Sequence, residues 1–326
     1  MVSLPPAIMI EGNFIFANTI VMLAVGLTLT YMTTKVPNFA HGSLAMVGAY
    51  MLFTVVTIVF GKEVMKAAYQ GTTAWGPIIL GFVVAFLGGA FAGLMEYLLV
   101  LRPLSKLGST SLGLMISTLG VDFFLIGLLN IYADILRSKH PITGTPRDWW
   151  LSSYINGSFA GASLRLWLSF IITFLSLLSL YLLLTRTRFG IAMRASIENP
   201  SLAEVLGVNV DLVNMVSWIL AGGLAGLGGG LMAFAEKLNP ITGSTEIVAV
   251  FAASIVGGLQ SLLGAVIGGY IVGLSETLGA YLLGLSAYRR AIPMVFIIVT
   301  LLFAPEGIAG IDWRRVLSKI RGSRKP

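Results

Sequence analysis

Long apolar runs separated by short polar segments organise this chain. A run of about 20 apolar residues is long enough to cross the hydrocarbon core of a bilayer as an α-helix. The pattern predicts an all-α membrane protein, a polytopic helical bundle of about eight to nine spans that forms one domain over residues 1–326. The runs lie at 14–34, 39–60, 75–101, 111–131, 164–184, 212–235, 246–263, 264–283 and 291–304. The last run is short, and the region 246–283 could be divided differently.

The second apolar run begins with polar residues at what would be membrane depth. Pro37 and Asn38 precede His41 and Ser43 within a few positions. Irregular backbone at this depth is tolerated only where protein or a water-filled cavity satisfies its polar groups. The pattern therefore predicts a broken or re-entrant helix, although an ordinary turn with His41 at headgroup level would also fit. Asn38, His41 and the mid-run Asp122 are the candidates for a translocation pathway.

Three acidic residues, Glu96, Asp122 and Glu276, fall inside apolar runs. A charge in the bilayer is costly, so each should face the bundle interior, find a partner or lie near an interface. Glu96 is close to the inner end of its run, where it could snorkel to the interface or pair with Arg102. No cation near the other two suggests a proton relay, so a structural role is favoured over a pathway role for all three.

The polar segment 186–211 is a long interruption between two apolar runs. Asn199 suits the N-cap of a helix, Pro200 its first position, and Gly207 the left-handed residue after its end. A helix of about two turns is too short to be stable alone in water. We expect it to dock into another protein, the alternative being a solvated amphipathic loop on the membrane surface. The residues predicted to form this contact are Arg188, Arg194, Glu198, Asn199, Pro200, Leu202, Glu204, Val205, Leu206 and Gly207.

Basic residues fall on alternate ends of the apolar runs, which predicts an outside N-terminus and a cytoplasmic C-terminus. A basic tail at 311–326 would meet anionic headgroups. The predicted outer loop, 132–163, carries Trp149 and Trp150. These tryptophans indicate an interfacial belt, or alternatively a landing surface for an external partner.

Glycines recur at four-residue spacing in several runs, which lets helix backbones approach closely in lipid. Tight helix packing is therefore predicted for Gly222, Gly226, Gly230, Gly257, Gly258, Gly264 and Gly268.

Composition narrows the class of function. The chain has 56% hydrophobic and 11% charged residues and a mean hydropathy of +0.90, as expected of a membrane protein. Much of its net charge of +7 lies in the tail, which favours contact with lipid and not with nucleic acid. There are no cysteines and only two histidines, so neither a cysteine-ligated nor a histidine-rich metal site is expected, and no cofactor is predicted. No phosphate-binding loop or catalytic motif occurs. Energy for uphill transport would come from an ion gradient or a separate ATPase.

Three sequence blocks carry a resemblance to a known family. They are GLTLTYMTTKVPNFAHGSLAMVGAY at 26–50, TRFGIAMRASIENPSLAEVLGVNV at 187–210, and GGLQSLLGAVIGG at 257–269. The chain resembles the membrane permease subunits of ABC importers for branched-chain amino acids, LivH-type. It departs from the family pattern at Pro37, where a β-branched residue is more frequent, and at Ala304, where arginine is usual.

The resemblance implies a non-catalytic, multi-pass permease in a prokaryotic cytoplasmic membrane. It implies as partners two ATP-binding subunits, a second permease subunit (homologous or identical) and an external solute-binding protein. The substrate would be a branched-chain or related hydrophobic amino acid, moved by alternating access and selected largely by the binding protein. Within the family, another amino acid, urea or an amide is the alternative substrate. Outside it, the alternatives are an ion-coupled transporter or channel without an ATPase, or a scaffold for soluble partners.

Overall fold

The computed structural model describes residues 7–139, 146–284 and 286–310. Apart from a hairpin of two short strands, β1 (Ser158–Phe159) and β2 (Ala162–Ser163), the regular elements of these residues are helical. The α-helices are α1 (Ala7–Thr34), α2 (His41–Phe53), α3 (Gly61–Tyr69), α4 (Trp75–Glu96), α5 (Arg102–Lys106), α6 (Ser111–Lys139), α7 (Leu164–Arg186), α8 (Arg188–Glu198), α9 (Pro200–Val205), α10 (Val210–Ala235), α11 (Thr242–Gly257), α12 (Leu262–Leu274), α13 (Ala280–Leu282) and α14 (Ala291–Phe303).

Three of these helices continue without a break into π-helical turns, in which each hydrogen bond spans one residue more than in an α-helix. The π-turns are Thr54–Val59 after α2, Tyr97–Leu101 after α4 and Ser275–Gly279 after α12. Such turns occur frequently at functional sites.

Eight helical stretches of the described chain are long and apolar enough to cross a membrane. They are Met9–Thr34, His41–Val59, Trp75–Lys106, Ser111–Lys139, Leu164–Arg186, Val210–Ala235, Leu262–Leu282 and Ala291–Gly310. The ninth apolar helix, α11, has only 16 residues. The region 246–283 is divided at residues 258–261, a few positions before the expected boundary between 263 and 264. Gly258, with φ +100°, ends α11, and the Ser261 hydroxyl caps α12 by accepting a hydrogen bond from the Gly264 amide.

The central helices are α1 and α10, which pack against each other. Helices α2 and α4 cover α10, while α11 and α12 cover α1. By contrast, α6, α7 and α14 expose most of their apolar side chains. An exposed apolar surface of this extent suits contact with lipid or with a second membrane subunit.

Close backbone approach at glycine holds the central helices together. A Cβ added at Gly222 would collide with the Gly89 carbonyl oxygen, and one added at Gly226 with the Ala85 carbonyl oxygen. These contacts join α10 to α4. In the same way Gly257 and Gly264 face each other between α11 and α12, and Gly268 faces the Ala253 carbonyl on α11.

Two of the predicted packing glycines lie in other surroundings. Gly230 faces the Phe82 ring and the Leu52 side chain, so it makes room for side chains and not for a backbone. Gly258 lies in the turn after α11 with a positive φ, which a residue with a Cβ rarely adopts. Its conformation, and not helix packing, is what requires glycine there.

The predicted loop 132–163 was wrong at its first boundary, because α6 continues to Lys139. Ala133 and Leu136 are buried against the core, so the helix has a reason to extend beyond the apolar run. Trp149 is also buried and packs edge-on against Phe53, whereas Trp150 is 41% exposed. A buried Trp149 does not fit the predicted interfacial belt. The predicted basic tail, 311–326, lies outside the described residues.

Candidate functional site

The segment between α1 and α2 is not helical, yet it is enclosed by the bundle. Lys35 ends α1 with φ +55°, a value uncommon for a residue other than glycine, and α2 starts only at His41. Val36, Asn38 and Ala40 are buried. Non-helical backbone at this depth requires partners from the protein, since lipid supplies none.

Side chains from two neighbouring helices supply those partners. The Asn38 amide donates to Glu96 Oε2 of α4 at 3.1 Å, and the Phe39 backbone N–H donates to Thr118 Oγ1 of α6 at 3.0 Å. Asn38 Oδ1 also accepts from the Ala40 backbone N–H at 2.8 Å. These bonds fix the segment in its non-helical conformation.

Asp122 lies beside the start of α2. Its Oδ1 atom accepts hydrogen bonds from the Ser43 hydroxyl and, at 2.8 Å, from the Ser244 hydroxyl of α11. We call the set of these residues the central polar cluster: Asn38, Ser43, Glu96, Thr118, Asp122 and Ser244. It joins α2, α4, α6 and α11 at one place in the bundle. Sequence reasoning found two of the pathway candidates in it but missed both serines, which lie far from Asp122 in the chain.

Glu96 is not paired with Arg102, so that one of its two expected arrangements was wrong. Arg102 instead forms an ion pair with Asp211 at the start of α10, with Nη2 and Oδ2 2.6 Å apart. Glu96 is buried, and its Oε1 has no hydrogen-bond partner among the described residues. Residues six apart on a helix point to different faces, so proximity in sequence did not bring this pair together.

His41 lies apart from these bonds, packed against α1. A Cβ added at Gly26 would be 2.8 Å from His41 Nε2 and 3.1 Å from the Ala221 carbonyl oxygen of α10. His41 and Asn38 have no exposed surface, and Asp122 is 7% exposed. In this conformation Asn38 and His41 are therefore closed to solvent, and Asp122 is almost completely buried.

The second candidate site is the pair of short helices between α7 and α10. Sequence reasoning predicted α9 but missed α8, whose N-cap Thr187 accepts a hydrogen bond from the Gly190 amide. Threonine is a favoured N-cap residue, and its place directly after the apolar run is a weak signal that could have indicated α8. The predicted caps of α9 are confirmed, since Asn199 Oδ1 accepts from the Leu202 amide at 3.0 Å and Gly207 has φ +87°.

Almost the whole surface of α9 is free in the chain. Only Ala203 is buried, whereas Leu202, Val205 and Leu206 are 55%, 84% and 73% exposed. The other residues predicted to form the contact are also exposed, namely Arg188, Arg194, Glu198, Asn199, Pro200, Glu204 and Gly207. Arg194 has a further role, because its Nη1 donates to the Leu184 carbonyl at the end of α7 at 2.7 Å. Such a bond satisfies a carbonyl that the helix end leaves free.

Polar contacts at the start of α10 connect α9 to α4. Asp211 accepts a hydrogen bond from the Tyr97 hydroxyl at 2.7 Å in addition to its ion pair with Arg102. Tyr97 begins the π-turn that directly follows Glu96. The Asp211 side chain thus links the end of the bundle that carries α9 to α4, the helix whose Glu96 is hydrogen-bonded to Asn38.

A charged group lies at the other end of α10. Arg289 contacts Glu236 at 2.9 Å, Glu246 at 3.5 Å and Glu276 at 3.8 Å, while Arg290 contacts Glu246 at 3.1 Å. The expectation that Glu276 has no cation nearby was wrong, because the chain after α13 returns Arg289 to it. In the described part of the chain, no cluster of three or more histidine, cysteine, aspartate or glutamate residues could hold a metal ion.

Comparison with known proteins identifies the family of this fold. The sequence profile of the family described as branched-chain amino acid transport system / permease component matches residues 9–304. The chain belongs to this family. It is therefore a multi-pass membrane protein, the non-catalytic permease component of an ABC transport system.

Individual relatives agree with this assignment. The permease is 42% identical over 313 residues to the probable branched-chain amino acid transport permease protein LivH of Methanocaldococcus jannaschii, covering 94% of this chain and 93% of the relative. It is 29% identical to the high-affinity branched-chain amino acid transport system permease protein LivH of Salmonella typhimurium, covering 90% and 92%. It is 28% identical to the corresponding protein BraD of Pseudomonas aeruginosa, with the same coverage. No solved structure matches the chain.

Proposed function

We propose that this permease carries branched-chain or related hydrophobic amino acids into a prokaryotic cell, by alternating access driven by ATP hydrolysis on other subunits. Three relatives named as branched-chain amino acid permeases, which cover at least nine-tenths of the chain, support this substrate class. The proposed complex contains a second permease subunit, homologous or identical, two ATP-binding subunits and an external solute-binding protein. The end that carries α8 and α9 faces the cytoplasm.

The observation that carries the coupling proposal is the exposed apolar surface of α9. Leu202, Val205 and Leu206 stand free on a helix that buries only Ala203 of its own residues. A short capped helix with free apolar side chains suits insertion into a groove of a partner. The exposed charges of Glu198 and Glu204 would pair at the rim of that groove.

Movement of α9 would reach the central polar cluster through α10. Only four residues, 206–209, separate α9 from α10, and the Asn209 side chain caps α10 by accepting from the Leu212 amide. Asp211 follows at once and holds Tyr97 and Arg102 of the neighbouring helix. A shift of α9 would thereby pull on the π-turn next to Glu96.

The pathway would open beside the segment that precedes α2. Asn38, His41 and Asp122 are enclosed in this conformation, and Glu96 holds Asn38 in place. Release of the Glu96–Asn38 bond would remove one of the bonds that fix this non-helical segment, which would then be held to the neighbouring helices mainly by the Phe39–Thr118 bond. Asp122 and the Asn38 amide would then line the translocation pathway and face the polar ammonium and carboxylate groups of the amino acid.

The coupling role can be tested in the assembled importer, reconstituted in liposomes with its ATP-binding subunits and binding protein. We expect Leu202→Asp to abolish most ATP-dependent leucine uptake and to weaken binding of the ATP-binding subunits, because it places a charge in an apolar groove. Glu204→Lys should impair uptake as well. Leu107→Asp is the matched control, since Leu107 is 82% exposed at the same end of the bundle but outside α8 and α9. Normal uptake and normal subunit binding in both α9 variants would refute the coupling role.

A further inference from the structure

A cavity of about 250 Å³ lies at the end of the bundle opposite α9. It is bounded by the first turns of α1, the start of α7 and the end of α10. It is separate from the central polar cluster, whose residues do not line it. Pockets for drug-sized ligands have volumes of about 300–1,000 Å³, so this one suits a smaller molecule.

Two residues in the lining of this cavity each have a buried polar side-chain atom without a partner among the described residues. Asn13, which is 7% exposed, has a buried Nδ2 atom without a hydrogen-bond acceptor among the described residues. Glu236 Oε2 accepts from Arg289, but its buried Oε1 has no donor in the same part of the chain. A free donor and a free acceptor that are both buried require a ligand or water to satisfy them.

The charged group on one side of the cavity, where Glu236 and Arg289 lie, has more carboxylates than cations. Glu236 shares the Arg289 guanidinium with Glu246 and Glu276, and Arg290 reaches only Glu246. Three carboxylates therefore share two cations in this group, and the other charged residues of the lining, Glu11 and Arg165, add one charge of each sign. An additional positive charge close to Glu236 would be favoured electrostatically.

The remaining lining supplies an apolar wall and a separate cation. Phe16, Ile15 and Phe234 provide the apolar surface, and Arg165 contributes a guanidinium from the start of α7. Arg289 lies over the Phe16 ring, 5.6 Å from its centroid, so that ring is held in place. The cavity thus combines a free carboxylate oxygen, a free amide donor, a cation and apolar surface.

We propose that this cavity binds a zwitterionic amino acid with an apolar side chain. The ammonium group donates to Glu236 Oε1, the carboxylate accepts from the Asn13 amide and from Arg165, and the side chain packs against Phe16 and Phe234. The ligand class rests on the proposed function. The site would receive the amino acid on the side opposite α9 before it reaches the central polar cluster.

The test uses the full-length permease in lipid nanodiscs without the binding protein. Saturation-transfer difference NMR measures the binding of leucine, and of two analogues that each lack one charge, leucinamide and 4-methylpentanoate. Gly12→Leu fills the cavity, because Gly12 lines it and a Cβ there has no heavy atom within 4 Å. Gly76→Leu is the matched control, since Gly76 is also helical, at the start of α4, with equally open surroundings. Glu236→Gln keeps an oxygen acceptor but removes the negative charge that the proposed ammonium contact depends on.

We expect saturable leucine binding that is lost in Gly12→Leu, retained in Gly76→Leu and weakened about tenfold in Glu236→Gln, as for loss of a charge-assisted hydrogen bond. Both analogues should bind more weakly than leucine. The inference is overturned if the unaltered permease binds no leucine, in which case water fills the cavity, or if Gly12→Leu binds leucine as well as the unaltered chain. Failure of the proposed function would differ, because the complete importer would then show no ATP-dependent leucine uptake.

Discussion

Replacement of Asn199 by alanine should weaken the binding of the ATP-binding subunits to the permease without unfolding the permease. The Asn199 side chain satisfies the Leu202 amide at 3.0 Å, one of the few hydrogen bonds at the start of α9. At the other end the Val208 amide bonds to the Ala203 carbonyl at 2.9 Å, which closes the helix. With six residues and one buried side chain, α9 depends on these caps more than a long helix would.

Loss of an N-cap costs about 1 kcal/mol, within a range of about 0.5–2 kcal/mol. All of this cost could fall on the ordered state of α9. The fraction of permease molecules in which α9 is ordered for binding would then fall by up to about fivefold, and the apparent affinity for the ATP-binding subunit would fall by the same factor. A helix held firmly by α8 and α10 would lose less. We therefore expect a two- to fivefold rise in the dissociation constant, by order of magnitude.

A series of substitutions separates capping from contact. Asn199→Ser and Asn199→Asp retain an acceptor and should bind as the unaltered permease does, whereas Asn199→Gly should lose only a few tenths of a kcal/mol. Titration of the purified ATP-binding subunit onto the permease in nanodiscs, followed by fluorescence anisotropy, measures the affinities. The reasoning is refuted if the alanine variant binds normally, or if the serine variant binds as weakly as the alanine variant.

Two further predictions concern the enclosed half of the structure. Single cysteines at Asn38 or Asp122, in this cysteine-free chain, should react with a water-soluble maleimide only while the ATP-binding subunits cycle. Protection of both in every nucleotide state would assign them to packing alone. Gly26→Ala should lower the melting temperature of the purified permease, because the new Cβ would stand 2.8 Å from His41 Nε2, and overpacking costs about 1–3 kcal/mol. Gly120→Ala, which meets nothing within 4 Å, should not; equal losses in both variants would contradict this account.

Local chemistry made part of the coupling site predictable. The cap at Asn199, the proline after it and the left-handed Gly207 are decided within a few residues, so their positions in the sequence were sufficient to locate α9. The helix α8 was missed because its amphipathic pattern is short and its cap, Thr187, follows directly upon α7. What α9 contacts is not local, and it stays a prediction.

The partners of the buried acids could not be inferred in the same way. Glu96 bonds Asn38, which lies 58 positions away, and not the much nearer Arg102. Glu276 meets Arg289 only because the chain turns back after α13. A buried carboxyl takes whichever group the packed helices bring to it, and sequence distance has little influence on that choice.

The sequence by itself determined that this chain crosses the membrane many times, where most helices lie and which glycines allow close packing. Hydropathy, capping and small side chains act over one helix or less, so they can be read along the chain. Only the tertiary structure decided where α11 ends, which residues meet Asp122, and that Asn13 and Glu236 share one cavity. Those relations depend on how the helices pack against one another, because lipid offers polar groups no partners and the bundle must supply them from distant parts of the chain.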